Sequence, residues 1–508
     1  MISKTNSFGL LGLEAYPVEI EIDATKGLPA VTLVGMTDTT VKESKERVRS
    51  AIKNSGFQWP AQRITVNMAP SDIKKEGSCF DLAIALGILA STGQINPEIL
   101  KNYAFLGELS LDGQIRPVRG VLAISLAMSN SSMNNLVLPA ENAKEAAIVP
   151  NLSSWPQNNL KETIQFLADP SLKQPVKLTP GQIVDVNRSY DLDFSEVKGQ
   201  HFAKRAIEVA VSGGHNLVLI GPPGSGKTML AKRIPTIMPA LTLNEALEIT
   251  KIHSVAGTLL NSDGLIGNRP FRCPHHSISD IALIGGGGIP KPGEISLAHC
   301  GVLFLDELPE FSRKALETLR QPLEDNSICI SRIRRSITFP ASFILAAALN
   351  PCPCGNYFNP NKTCHCHPTK IRSYLGKISG PLLDRIDIHI EVPQVKYREL
   401  SDTKETEPSK VIRQRVENAR AIQQERFKTR KISCNAQMQN KLVKEYCALD
   451  KEAQNLLRMA ISELGLSARA YDKILKVSRT IADLAGDEII LGEHISEAVQ
   501  YRSLDRQW

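Results

Sequence analysis

The chain has 508 residues, with 60 Lys plus Arg against 53 Asp plus Glu for a net charge of +7, and 42% of it is hydrophobic. That length is too great for one ordinary core and the hydrophobic share is that of a soluble globular protein, so two or three domains are expected. The mild positive excess permits nucleic-acid contact without requiring it, and ten cysteines at this size exclude a disulfide scaffold.

The first sixteen residues hold one lysine and a short apolar cluster broken by Gly9 and Gly12, with Glu14 following, and do not read as a secretory signal. The longest apolar stretch, 82–90, is about half of what a bilayer requires, so the expected location is the cytoplasm and no membrane partner is expected. Residues 1–168 mix alternating, strand-like segments (18–22, 30–34, 63–67) with helical ones (41–54, 80–91), an α+β pattern without a phosphate loop. Residues 169–193, with Pro170, Pro175, Pro180 and Gly181 and no sustained periodicity, read as a linker. Residues 194–393 alternate buried strands, helices and glycine-rich loops, the pattern of an α/β fold with a parallel sheet. Residues 394–508 begin with a polar, charged stretch and then read as helix. There Ile474, Val477, Ile481 and Leu484 recur at helical spacing before Gly486, a C-cap, and a small helical lid is expected.

Within the α/β segment, the apolar run 216–220 precedes Gly221-Pro222-Pro223-Gly224-Ser225-Gly226-Lys227-Thr228, and a helical pattern follows. Strand, glycine loop and helix in that order make a phosphate cradle for ATP. The glycines let backbone N–H groups converge, Lys227 reaches the β and γ oxygens, and the Thr228 hydroxyl is offered to Mg²⁺. A second apolar run ends in Asp306-Glu307. Two acids at the C-terminal end of a neighbouring strand meet the phosphates there, Asp306 holding Mg²⁺ through water and Glu307 positioning the attacking water. The bland alternatives, an exposed lysine on a glycine turn and an acidic helix cap, lose force when both motifs occur in one segment.

Further motifs surround these two: Val197-Lys198-Gly199-Gln200, the run Phe271 to Ser277 (FRCPHHS), Pro292 to His299 (PGEISLAH), Leu319 to Glu324 (LRQPLE), Asn350 to Gly355 (NPCPCG) and Gly380 to Asp387 (GPLLDRID). Together they resemble the YifB/ComM family of magnesium-chelatase-like AAA+ ATPases over nearly the full length. The resemblance implies an AAA+ P-loop sheet with a C-terminal helical lid, preceded by a ribosomal-S5/Lon-like domain. It also implies a homo-hexameric ring that uses ATP to translocate DNA, single-stranded or branched, through its pore and promotes branch migration in recombination during natural transformation. By the same resemblance Asn350 corresponds to sensor 1, Arg385 to the arginine finger donated to a neighbouring subunit, and Arg469 to sensor 2. Residues 327–339 form two β-prone arms with Arg332, Arg334 and Arg335 at the bend, and similar rings project a hairpin here into the pore, where arginines grip phosphates. The glycine run 285–288 with Lys291 is a second candidate DNA loop; an exposed basic turn is the competing reading of both.

Cys352-x-Cys354 and Cys364-x-Cys366 enclose a polar loop, and four soft ligands suit structural Zn²⁺, with His365 and His367 as alternative donors. The spacing is shorter than the usual C-x2-C. In the Lon-like domain, Glu76 to Asp81 (EGSCFD) occupies the place of a protease nucleophile loop, but Leu122 stands where the resemblance expects the activating lysine, so a non-proteolytic module is expected. Two other functions remain in competition: a chelatase-like ATPase that remodels a protein partner for metal insertion, and a Lon-type protease using Ser78 with Lys74 or Lys75.

Overall fold

The computed structural model describes residues 2–35, 38–75, 77–177, 190–259, 264–287, 290–332, 335–357, 362–395, 406–430, 432–464 and 467–502. Contacts divide the chain into two compact units, Met1–Arg188 with Thr242–Gly267, and Ser189–Leu241 with Asn268–Trp508.

The first unit is built on a seven-stranded sheet of β1 (Ile2–Leu11), β2 (Glu14–Thr25), β3 (Ala30–Val34), β4 (Arg63–Ala69), β5 (Ala104–Phe105), β6 (Asn135–Pro139) and β7 (Ser153–Gln157), in the order β3-β4-β2-β1-β5-β6-β7. The period of two is plain in β2 and β4, where Val18, Ile20, Ile22, Ile64, Val66 and Met68 are buried and their neighbours are not. Strand β1 is absent from the sequence reading above. Its inward face consists of Ser3, Thr5 and Ser7, all buried, whose hydroxyls donate to the carbonyls of Gly87 (2.7 Å), Ala83 (3.2 Å) and Phe105 (2.8 Å). Small hydroxyl residues on the core face hide the alternation on which strand recognition depends. The helix Asp81–Ser91 against which they lie is buried along its whole length, and a Cβ on Gly87 would run into the Ile22 side chain. Thr242–Gly267 lies in sequence inside the α/β segment but packs with this first unit. Its helix Leu243–Ala256 opens on a Thr242/Glu245 capping box, and Ser254 accepts from the Gly120 N–H (3.2 Å) and bonds the buried Glu145.

The second unit has a parallel five-stranded sheet of β8 (Leu217–Ile220), β9 (Phe271–Arg272), β10 (Val302–Leu305), β13 (Ile344–Leu349) and β14 (Ile388–Glu391). Between β10 and β13 the antiparallel hairpin β11 (Ser327–Arg332) and β12 (Arg335–Pro340) stands as a separate ribbon. The sheet order is β9-β10-β13-β8-β14, so β8 lies between β13 and β14, where the order of strands reverses. Every residue of β8, β10 and β13 is buried, as expected of strands covered on both faces. Register aligns their ends: Ile220 pairs with Leu349 and Leu305 with Ala347, so Gly221, Asn350 and Asp306 all emerge at the carboxyl edge, where open parallel sheets bind ligands. The last long helix, Ala468–Ala485, buries Ile474, Val477 and Ile481 and ends on left-handed Gly486 (φ 86°). Among the described residues no helix is long and apolar enough to cross a membrane.

Candidate nucleotide site

At the carboxyl end of β8 the chain turns through Gly221 to Gly226 into the helix Lys227–Ile237. Gly224 (φ 76°) and Gly226 (φ 93°) hold left-handed backbone, and no atom lies within 4 Å of where a Cβ would project from either. The loop therefore forms an open cradle that only a side chain would fill, as phosphate binding by backbone N–H groups requires. Gln200, itself at φ 56°, ties the loop down by donating to the carbonyls of Ser225 (3.2 Å) and Pro393 (2.6 Å).

The ammonium of Lys227 is buried and donates to the carbonyls of Gly221 (2.7 Å) and Pro222 (3.0 Å) and to Asn350 Oδ1 (3.2 Å). Burial lowers its pKa, and the Asp306 and Glu307 carboxylates work against that shift. The Thr228 hydroxyl donates to Asp306 Oδ2 at 2.7 Å. A hydroxyl and a carboxylate meeting at the mouth of a phosphate cradle are the donor set that Mg²⁺ takes from a P-loop protein, so the residues present fit the ion. Glu307 adopts a left-handed backbone (φ 53°, ψ 47°), uncommon for a residue with a side chain and a conformation that clusters at active sites. It turns the carboxylate out of the strand line, with the side chain 56% exposed, and brings Oε2 to 3.5 Å from His276 Nδ1.

Lys227, Thr228, Asp306, Glu307 and Asn350 are thus brought together. The two arginines bond elsewhere. Arg385 donates to Glu324 and to the Pro381 carbonyl, and Arg469, mostly exposed, pairs with Asp384 at 3.3 Å. Arg385 belongs to the loop entering β14, the strand end opposite the cradle. In the hairpin, Arg332 pairs with Arg335 across the ribbon, the side chains of both lie outside the described residues, and Arg334 lies outside them altogether. Lys291 is exposed in a short ladder with Gly286. Ser78 donates to Glu108 and not to a lysine, and Leu122 is fully buried. Residues the sequence reading left without a role are Gln200, His276 and Tyr374, whose hydroxyl lies beside the Asn350 backbone. The first two stood inside quoted motifs; Tyr374 gave no signal.

The model of the magnesium chelatase subunit ChlI matches residues 193–400, a further ChlI model matches 20–142, and the ChlI C-terminal model matches 406–502. The competence protein ComM of Haemophilus influenzae is 46% identical over 499 residues, covering 98% of this chain and 96% of that protein. The uncharacterized protein YifB of Escherichia coli is 43% identical over 510 residues, 99% and 98% of the two chains. A Lon protease of Brevibacillus choshinensis is 24% identical over 177 residues, 32% of this chain and 22% of its own. With matching family models along most of its length and near-complete coverage by relatives above 40% identity, the chain belongs to the YifB/ComM family of magnesium-chelatase-like AAA+ ATPases.

Proposed function

We propose that this chain is an ATP-driven motor that moves DNA and drives branch migration during recombination of incoming DNA. The observation that carries the motor is the convergence of Lys227, Thr228, Asp306, Glu307 and Asn350 on one sheet edge, beside a glycine cradle. Lys227 and the loop N–H groups bind the triphosphate, and Thr228 and Asp306 hold Mg²⁺. The bound cation supplies charge neutralisation on the phosphate oxygens. Glu307 orients a water for in-line attack and draws its proton onto Oε, while Asn350, held by Lys227, fixes the γ-phosphate and that water. His276 sits where it steers the Glu307 carboxylate.

In this reading Arg385 serves another subunit's nucleotide, which its distance from its own cradle supports. Arg385 precedes β14 by three residues, and that four-residue strand runs parallel to β8 at a rise of about 3.3 Å per residue, so the arginine stands a strand's length from its own cradle. A finger so placed requires a ring. The DNA assignment is supported by the name of the competence protein that covers nearly the whole chain and by the two-stranded hairpin with arginines towards its bend. The family models, named for a chelatase subunit, make protein remodelling the competing outcome.

The test is displacement of a forked or four-way DNA junction by wild type, Glu307→Gln and the triple variant Arg332/Arg334/Arg335→Ala. Glu307→Gln should bind ATP and displace nothing. The triple variant should keep basal hydrolysis, lose stimulation by DNA, and show a salt dependence of DNA binding flatter by about two to three in log–log slope. ATP hydrolysis that no DNA stimulates in the wild type would turn the reading toward protein remodelling.

A further inference from the structure

One group of reactive side chains in the second unit takes no part in nucleotide binding. Cys352, Cys354, Cys364 and Cys366 follow the sensor strand β13, and their four Sγ atoms lie within 4.8 Å of one another. The separations are 3.3 Å for Cys352 to Cys354 and 3.7 Å for both Cys352 to Cys364 and Cys354 to Cys364, and none of the four forms a disulfide. A disulfide holds its sulfurs about 2.05 Å apart. Four thiolates on a tetrahedral zinc, with Zn–S near 2.3 Å, stand about 3.8 Å apart along each edge. The two 3.7 Å separations match that edge, the third is shorter at 3.3 Å, and all four sulfurs fall within 4.8 Å of one another, close enough to share one ion. Neither histidine is in the group, and His367 caps the next helix, Pro368–Leu375, through Thr369.

Where the cluster sits gives it a second significance. Asn350, two residues before Cys352, accepts from Lys227, and Gly355, one residue after Cys354, packs on the phosphate loop so closely that a Cβ there would strike the Pro223 ring. Beyond Cys366 the helix Pro368–Leu375 brings the buried Tyr374 back beside the Asn350 backbone. The chain therefore leaves the sensor asparagine, touches the cradle, passes through all four cysteines and returns to the sensor asparagine.

We propose that the four cysteines bind one zinc ion as thiolates, releasing their protons as the metal enters, and that the metal-closed knuckle braces Asn350 and Pro223 around Lys227, so that metal occupancy sets the rate of nucleotide turnover. The metal site stands on the sulfur geometry alone; the brace rests on the nucleotide reading above. Metal closure suits this role because it shortens the free span between the ends of the loop and so lowers the entropy cost of holding them together. Asn350 is the group that meets the reacting phosphate, and the cysteines act through it as positioning residues.

The experiment is elemental analysis of the full chain purified under reducing conditions without a metal-affinity tag, paired with steady-state ATP hydrolysis. Wild type should carry one zinc per chain, released by a mercurial thiol reagent and read with a chromogenic chelator. Cys364→Ser should lose the metal and lower kcat severalfold with little change in KM, and Cys364→His should keep the metal and a kcat near that of wild type. Gly355→Ala, which retains all four thiols, should keep zinc and still lower kcat, separating the brace from misfolding of a ligand variant. A wild-type chain with four titratable thiols that takes up no zinc overturns the site. One zinc per chain with unchanged kcat in Cys364→Ser and Gly355→Ala overturns the brace. Zinc held by a chain that hydrolyses no ATP supports the site and overturns the brace together with the nucleotide reading.

Discussion

The five-stranded sheet of the second unit carries a cluster of ionisable side chains at each end, and the two are built in opposite ways. At the carboxyl edge, Glu307 has a strained backbone and a half-exposed side chain, Lys227 turns to backbone carbonyls and an amide, and the glycine cradle is open. At the amino edge, His215, Asn216 and Asp387 are saturated with protein partners. His215 Nε2 meets Thr480 Oγ1 at 2.8 Å and Nδ1 meets Asp387 Oδ2 at 3.3 Å, while Lys473 pairs with the same carboxylate at 2.8 Å. Asn216 donates its side-chain N–H to the Arg385 carbonyl (3.1 Å) and accepts from the Leu345 N–H (2.9 Å). Groups that must meet a ligand are kept underused and partly strained; groups that hold strands and helices together are buried against protein partners. Substitutions at the first edge should therefore change chemistry and leave stability intact, and substitutions at the second should do the reverse.

The largest effect is expected from Glu307→Gln, which keeps the shape of the side chain and removes the base. It should lower kcat by about a hundred- to ten-thousandfold with nucleotide binding retained, and a kcat within tenfold of wild type would dissolve the contrast at its active end. Lys227→Ala should cost about a hundred- to a thousandfold in hydrolysis, with weakened nucleotide binding. Arg385 joins the two edges, since its backbone is held by Asn216 at the amino edge while its proposed target is another subunit's nucleotide. Arg385→Ala should be inactive alone, as should Lys227→Ala, yet mixing the two should recover measurable hydrolysis, because some interfaces then hold an intact cradle and an intact finger. Failure of every mixing ratio to recover activity would place the finger elsewhere. At the amino edge, Asp387→Asn leaves the Lys473 ammonium buried without its counter-charge and should cost about 3–5 kcal/mol of stability, read as a lowered denaturant midpoint. His276→Ala should be milder, near tenfold in kcat with no change in the midpoint, because it removes only the neighbour that steers Glu307.

The carboxyl edge was legible in the sequence because its chemistry is written in contiguous, oriented words: an apolar strand followed at once by glycines and lysine, or by two acids. The central sheet was legible for the same reason, in the unbroken apolar runs of β8, β10 and β13. The amino edge was not. His215, Asp387, Lys473 and Thr480 are separated by up to 265 residues, and no local pattern marks a histidine that will be buried between a carboxylate and a hydroxyl. Strand β1 was hidden by inward serine and threonine. The partnership of Thr242–Gly267 with the first unit was hidden because a buried helical face does not state which surface buries it.

The smallest prediction concerns pH, and it separates two members of the amino-edge cluster. Burial holds the His215 imidazole below its ordinary value near 6.5, with Asp387 pulling the other way and Lys476 and Lys473 adding to the depression. The unfolded chain therefore binds a proton at His215 before the folded chain does, and stability present above about pH 6.5 is lost as pH falls from there through the folded value. Burial raises the Asp387 carboxyl, but Lys473 and His215 more than offset this and hold it far below the usual range, so its contribution survives until the pH drops below about 4. Both groups destabilise the fold on acidification, in separate windows. Denaturant midpoints of wild type and His215→Gln between pH 5 and 7 distinguish them. Wild type should lose stability across that interval by at most about 1.4 kcal/mol per pH unit from this residue, and the variant should start lower and be flatter. A wild-type slope of the opposite sign, with stability gained relative to the variant as pH falls, would mean that His215 is protonated in the folded protein and paired with Asp387 as an ion, which would make the amino edge a charged cluster held by electrostatics rather than a neutral hydrogen-bonded staple.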